Sequence, residues 1–194
     1  MNLPTKLTCL RILLTFLIMG LLFAPGWPAK AAALGGFLLA SLTDWLDGSL
    51  ARRWHQTTPL GTLLDPIADK VLVLGILLAF VQLRVIPAWM VLIIALREFL
   101  ITGVRIFAAS RHLVLSAAKE GKHKTVSQMV TILIILTILT IQELPGHAWR
   151  SARMTIMFHD MVVGCLWVTL LLTVISGTSF FWRHRTVLKE AVSR

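Results

Sequence analysis

Acidic side chains are scarce in this chain. There are nine in 194 residues, against nineteen lysines and arginines, so the net charge is +10 while charged residues of all kinds make up only 14%. A soluble domain carries about 25% charged residues; with 57% of its residues hydrophobic, this chain is not one. Cysteine is nearly absent too. Cys9 and Cys165 both lie in or beside apolar runs, which excludes a disulfide framework and a thiolate metal site. A soluble basic segment is also lacking, because apolar runs interleave the positive charges, and this argues against a nucleic-acid partner. Anionic headgroups of membrane lipids and phosphorylated substrates are the counter-charges left.

What fills the chain is apolar sequence. Six runs reach the roughly 20 residues needed to cross a bilayer, and they predict spans over 7–25, 29–54, 61–82, 87–109, 123–142 and 155–182. Turn formers and charges separate them, in PGWPAK, RRWHQTTP, QLRVIP, SRHLVLSAAKEGKHK and ELPGHAWRSAR. The first run follows Lys6 and Arg11 like the core of a signal peptide, but no small-x-small cleavage pattern follows it, so it reads as a membrane helix. The expected fold is an all-α integral membrane protein, a single domain over residues 1–194 with six transmembrane helices. Six spans put both termini on one side, which gathers most of the basic residues, among them Lys6, Arg11, Arg52, Arg53, Lys122 and Lys124. Lys30, Arg84, Arg150 and Arg153 fall on the other. By the positive-inside rule both termini are cytoplasmic, and so is the loop joining the second and third spans.

Four of the nine acids, Asp44, Asp47, Asp65 and Asp69, fall within 26 positions around that loop. At about 100° per residue, spacings of three and four put each pair on one helix face. The first pair closes the second span and the second pair opens the third, so a short turn brings all four to one depth, as a cytoplasm-facing active site. Intramembrane carboxylates are costly and repel one another unless protonated or bound to a cation. An all-oxygen cluster suits Mg²⁺ or Mn²⁺, and two such ions about 3.5–4 Å apart would clamp a phosphoryl group in an in-line displacement. Gly48 and Ala51 lie on the face of Asp44, and Gly61 lies one turn before Asp65, so ligand and backbone can approach closely there. Arg52 sits at the mouth, either to bind a diphosphate through paired hydrogen bonds or as an anchor obeying the positive-inside rule.

Together these positions read D-x2-D-G-x2-A-R-x8-G-x3-D-x3-D, without a gap or a substitution. The pattern resembles the signature of the CDP-alcohol phosphotransferase family. The resemblance covers essentially the whole chain, because the family's membrane domain also has six helices. It implies that Asp44 and Asp65 bridge two metals, that Asp47 completes one site, and that Asp69 completes the other while acting as base. It implies that Gly48, Ala51, Arg52 and Gly61 line the CDP pocket, and that CDP-diacylglycerol gives its phosphatidyl group to an alcohol with release of CMP. In the N-terminal segment, which would add Pro4 and Thr5 to the nucleotide pocket, many members have Pro-Asn where this chain has Pro4-Thr5. A homodimer in a bacterial cytoplasmic membrane is a further implication of the resemblance.

The motif does not name the alcohol. LREFLITGVR carries Arg97 and Arg105 eight residues apart, with Glu98 beside the first, and GKHKTVSQM adds Lys122, Lys124, Thr125 and Gln128. Cations at such positions call for an anionic ligand or a carboxylate partner; Arg97, Arg105, Lys122 and Lys124 are candidate ligands for a phosphate on the acceptor. The competing readings are Arg97 paired with the aspartates, and Lys122 and Lys124 as topology determinants. These stretches, with NLPTKLTCLR and TDWLDGSLARRW, resemble the bacterial members that use glycerol 3-phosphate as acceptor. Serine carries no phosphate, whereas inositol phosphate and phosphatidylglycerol remain alternatives. A small transporter would spread its acids along a path through the membrane, not at one depth. Asp160 is expected to pair with Arg150 or Arg153. The six histidines are scattered singly, and the tryptophans mostly mark span ends.

Overall fold

The computed structural model describes the backbone of residues 3–54, 59–110, 120–146 and 151–185, and the side chains within those stretches apart from 3–7, 44–54, 59–66, 69 and 120–122. It is all helical: α1 (Leu3–Phe23), α2 (Trp27–Trp54), α3 (Pro59–Gln82), α4 (Ala88–Ser110), α5 (Glu120–Glu143) and α6 (Ala152–Arg183), with no strand among the described residues. Each expected span lies on one helix, its ends within four residues of the helix ends. Among the described residues His123–Glu143 and Ala152–Arg183 are long and apolar enough to cross a membrane, and Thr8–Phe23 and Lys70–Gln82 are apolar but shorter. Large apolar side chains are exposed on every helix, including Leu13, Leu39, Leu78, Phe99, Val126 and Leu171. Such a surface fits a lipid surround and not water.

The corners follow from local chemistry. After α1 the chain turns through Gly26 at φ 92°, a conformation that costs glycine little. The buried Lys30 reaches back from α2 and donates to the carbonyl of Leu22 and, at 3.0 Å, to that of Ala24. It thereby satisfies carbonyls that a helix end leaves without intrahelical partners. Lys30 is thus a helix cap as well as a charge on one side of the chain. At the end of α3 the amide of Val85 bonds Phe80 O and that of Arg84 bonds Val81 O, both at 2.9 Å. This is a Schellman ending, with Arg84 at φ 58° in the position glycine usually takes. Ser151 caps α6 by accepting from the amide of Met154 at 3.4 Å.

The chain forms two compact units, Met1–Ile86 with Ile132–Asp160, and Pro87–Thr131 with Met161–Arg194. In the first, α1 packs against both α2 and α3 through buried Ile18, Leu22, Phe37, Leu72, Ile76 and Phe80. Close approach depends on two glycines. A Cβ on Gly36 would stand 3.1 Å from Ile18 Cγ1, and one on Gly75 would stand 2.9 Å from Thr15 Cγ2 and 3.3 Å from Met19 Sδ. Thr15 is fully buried and its hydroxyl is tied to Arg11 O at 2.9 Å, so it cannot yield. Gly75→Val is expected to cost about 1–3 kcal/mol by overpacking, read as a lower melting temperature of the detergent-purified protein. Gly103→Ala, where a Cβ meets nothing within 4 Å, should leave the melting temperature unchanged or raise it.

Candidate active site

The motif aspartates lie on continuous helix. α2 runs through Asp44 and Asp47 toward its end at Trp54, and α3 starts at Pro59 and runs through Asp65 and Asp69. The three- and four-residue spacings therefore act as helical spacings. The side chains of Asp44, Asp47, Gly48, Ala51, Arg52, Gly61, Asp65, Asp69, Pro4 and Thr5 lie outside the described residues, so the expected metal cluster and CDP pocket do as well. Among the described residues no group of histidine, cysteine, aspartate and glutamate is placed to hold a metal ion. The described side chains of the same unit include that of Arg11. Sequence reasoning counted it as a topology charge, yet it is only 3% exposed, on the face of α1 that also buries Thr8 and Thr15. It thus belongs to the interior of the unit that carries the motif.

The second unit contains a polar cluster that is described in full. Glu98 on α4 accepts from Arg97 Nη1 at 3.1 Å and forms an ion pair with Lys124 of α5. Arg97 Nη2 also donates to Ser176 Oγ on α6 at 2.9 Å. The stem of Arg97 passes Gly177, where a Cβ would stand 3.2 Å from Arg97 Cγ. Two cations thus share one described carboxylate in an apolar unit, and Lys124 is only 3% exposed. An ion group there is expensive unless it has a purpose or further partners.

Arg97 and Lys124 are thus brought together, and their common partner is Glu98. Arg105 is placed differently: it is exposed, and its guanidinium lies over the ring of Phe180 at 5.5 Å. The side chain of Lys122 lies outside the described residues. Asp160 is exposed and pairs with no described residue, Arg153 included; Arg150 lies outside the described residues. Trp89 and Trp167 meet edge to face at 5.9 Å within the second unit. Sequence reasoning missed the depth of the cluster. Lys124, Gln128 and Thr131 on α5 and Thr169, Thr173 and Ser176 on α6 are all buried. Each set is spaced i, i+4, i+7, a one-face helical pattern that was legible inside the apolar runs.

The motif and the six helices define the class of the protein, and comparison with known proteins agrees. A model of the CDP-alcohol phosphatidyltransferase family matches residues 1–175, and the chain belongs to that family. Among its relatives, a protein of Bacillus subtilis (strain 168) named CDP-diacylglycerol–glycerol-3-phosphate 3-phosphatidyltransferase is 36% identical, over 98% of each chain. Proteins of the same name from Cereibacter sphaeroides and Escherichia coli (strain K12) are 31% and 41% identical, over 97% and 70% of this chain and 98% and 76% of theirs.

Proposed function

We propose that the protein transfers the phosphatidyl group of CDP-diacylglycerol to glycerol 3-phosphate, giving phosphatidylglycerophosphate and CMP. The observation that carries this reading is the end-to-end similarity to the Bacillus subtilis relative of that name. The cationic pair Arg97 and Lys124 supports it with a place for an acceptor that bears a phosphate. In the same reading the whole chain acts as one catalytic domain with six membrane spans, both termini cytoplasmic, and works as a homodimer.

Asp44, Asp47, Asp65 and Asp69 would hold two divalent metals, Mg²⁺ or Mn²⁺, and their all-oxygen donor set fits such ions. When bound, the metals would neutralise the diphosphate and stabilise the departing CMP. Pro4, Thr5, Gly48, Ala51, Arg52 and Gly61 would receive the nucleotide, the glycines and alanine leaving room and Arg52 donating to phosphate oxygens. Asp69 would accept the proton of the attacking hydroxyl as its oxygen bonds to the lipid-side phosphorus. The bond from that phosphorus to the CMP oxygen breaks, and CMP leaves with the electron pair. Arg97, Arg105, Lys122 and Lys124 would hold the acceptor's phosphate.

The test is CMP release by detergent-purified protein with CDP-diacylglycerol and Mg²⁺ or Mn²⁺, offered glycerol 3-phosphate, serine, inositol 1-phosphate or phosphatidylglycerol separately. Release with glycerol 3-phosphate, abolished by chelation, is the expected result. Preference for another acceptor would keep the chemistry and overturn the assignment of the basic residues. Silence with all four from folded protein would overturn the enzyme reading.

A further inference from the structure

The interior of the second unit holds two donors that the fold itself does not use. Gln128 is only 3% exposed, and its Nε2 has no hydrogen-bond partner among the described residues; the same is true of Arg97 Nε. Leaving such a group unpaired costs on the order of 1–3 kcal/mol, and a buried orphan donor calls for an explanation. The hydroxyls around it are satisfied. Thr173 donates to Thr169 O at 2.7 Å and Ser176 to Thr173 O at 3.1 Å, and Thr131 and Thr169 share a hydrogen bond of 2.8 Å. The first two lie within α6, and the third ties α5 to α6 as buried hydroxyls do in apolar bundles. Gln128 takes no part in them.

Its position in the cluster follows from the contacts. α5 and α6 run antiparallel, with Thr131 opposite Thr169 and Ser127 O receiving the hydroxyl of Thr169 at 3.3 Å. The polar stripe 124–128–131 therefore faces 176–173–169 in reverse order. Lys124 reaches Glu98, whose other partner Arg97 reaches Ser176, so the cations occupy one end of the stripe. Thr131 and Thr169 close the other. Gln128 sits between them, one helical turn or about 6 Å along α5 from Lys124. An anionic group at the cations would thus carry its next polar atoms toward the Gln128 amide. A small phosphate ester of a polyol has this shape, with charge at one end and hydroxyls a few bonds away.

We propose that Gln128 is a specificity-determining residue that reads a non-reacting hydroxyl of the phosphorylated acceptor. This rests on the reading of Arg97 and Lys124 as the acceptor's phosphate ligands. The hydroxyl that attacks phosphorus has to give its proton to a base. A second hydroxyl keeps its proton and presents lone pairs to Nε2. In glycerol 3-phosphate, that is the hydroxyl on C2. A site built to bond a hydroxyl discriminates strongly against the analogue that lacks it, because the buried donor is then left unpaired.

The probe is 1,3-propanediol monophosphate, which keeps the phosphate and the primary hydroxyl of glycerol 3-phosphate and lacks only the C2 hydroxyl. Wild-type protein is expected to prefer glycerol 3-phosphate by about tenfold or more in kcat/KM. Gln128→Met, of similar volume and good helix propensity, should lower kcat/KM for glycerol 3-phosphate by a similar factor, leave the propanediol ester unchanged and so erase the preference. KM for CDP-diacylglycerol should not move. Equal use of the two esters by the wild type, a measurement that needs no variant, overturns the proposal. A Gln128→Met protein that loses activity equally with both esters also overturns it, since that marks a purely structural role. Transfer to neither ester by folded wild-type protein would instead overturn the acceptor reading on which the proposal rests.

Discussion

Asp69→Asn is expected to lower CMP release at saturating substrates by at least two orders of magnitude, the usual scale of a general base, with the protein still folded. Asparagine preserves the size of the side chain and a helical residue in the interior of α3, which runs on to Gln82. What it lacks is an oxygen basic enough to take the alcohol's proton. It also removes one of four negative charges from the proposed metal site, so both base and ligand roles predict a loss. They differ in the response to metal. Activity restored by raising the metal concentration would identify the loss as weakened binding, and activity that stays low at saturating metal identifies the missing base. The folded state is checked by an unchanged elution profile and helical circular dichroism. Turnover near that of the wild type would exclude Asp69 as the base.

The sequence made the helices legible because each apolar run is long and each break is marked by proline, glycine or charge. Pro59 opens α3, Pro87 precedes α4, and Gly26 takes the left-handed turn after α1. The aspartate pairs were legible for the same reason: spacings of three and four mean one face only if the backbone is helical, and α2 and α3 run through them. What a one-dimensional reading blurs is the second job of a charge. Lys30 reads in the sequence as a charge near the start of the second span, yet its ammonium caps the end of α1. Arg11 looks like a flank of the first span but is buried. Long cationic side chains reach several ångströms from their backbone, so sequence position fixes the level of the Cα but not where the charge ends up. Glu98 shows the same limit. Its neighbour Arg97 was visible in sequence, but Lys124 lies 26 residues away on another helix, and only the packing makes Glu98 the common partner.

That shared carboxylate ranks the basic residues in a way their sequence did not. Lys124→Met is expected to raise KM for glycerol 3-phosphate by about two orders of magnitude, since it would remove the proposed charge-assisted contact to the acceptor's phosphate, while KM for CDP-diacylglycerol stays within a factor of about two. Arg105→Met should have the smaller effect, because Arg105 is exposed and already rests on Phe180. Removing Lys124 still leaves Glu98 paired with Arg97 at 3.1 Å, so the carboxylate is not stranded and the variant should melt close to the wild type. A melting temperature that falls while KM for the acceptor stays at the wild-type value would mean that Lys124 serves the fold and not the substrate. Equal increases in KM for both substrates would count against a separate place for the acceptor's phosphate.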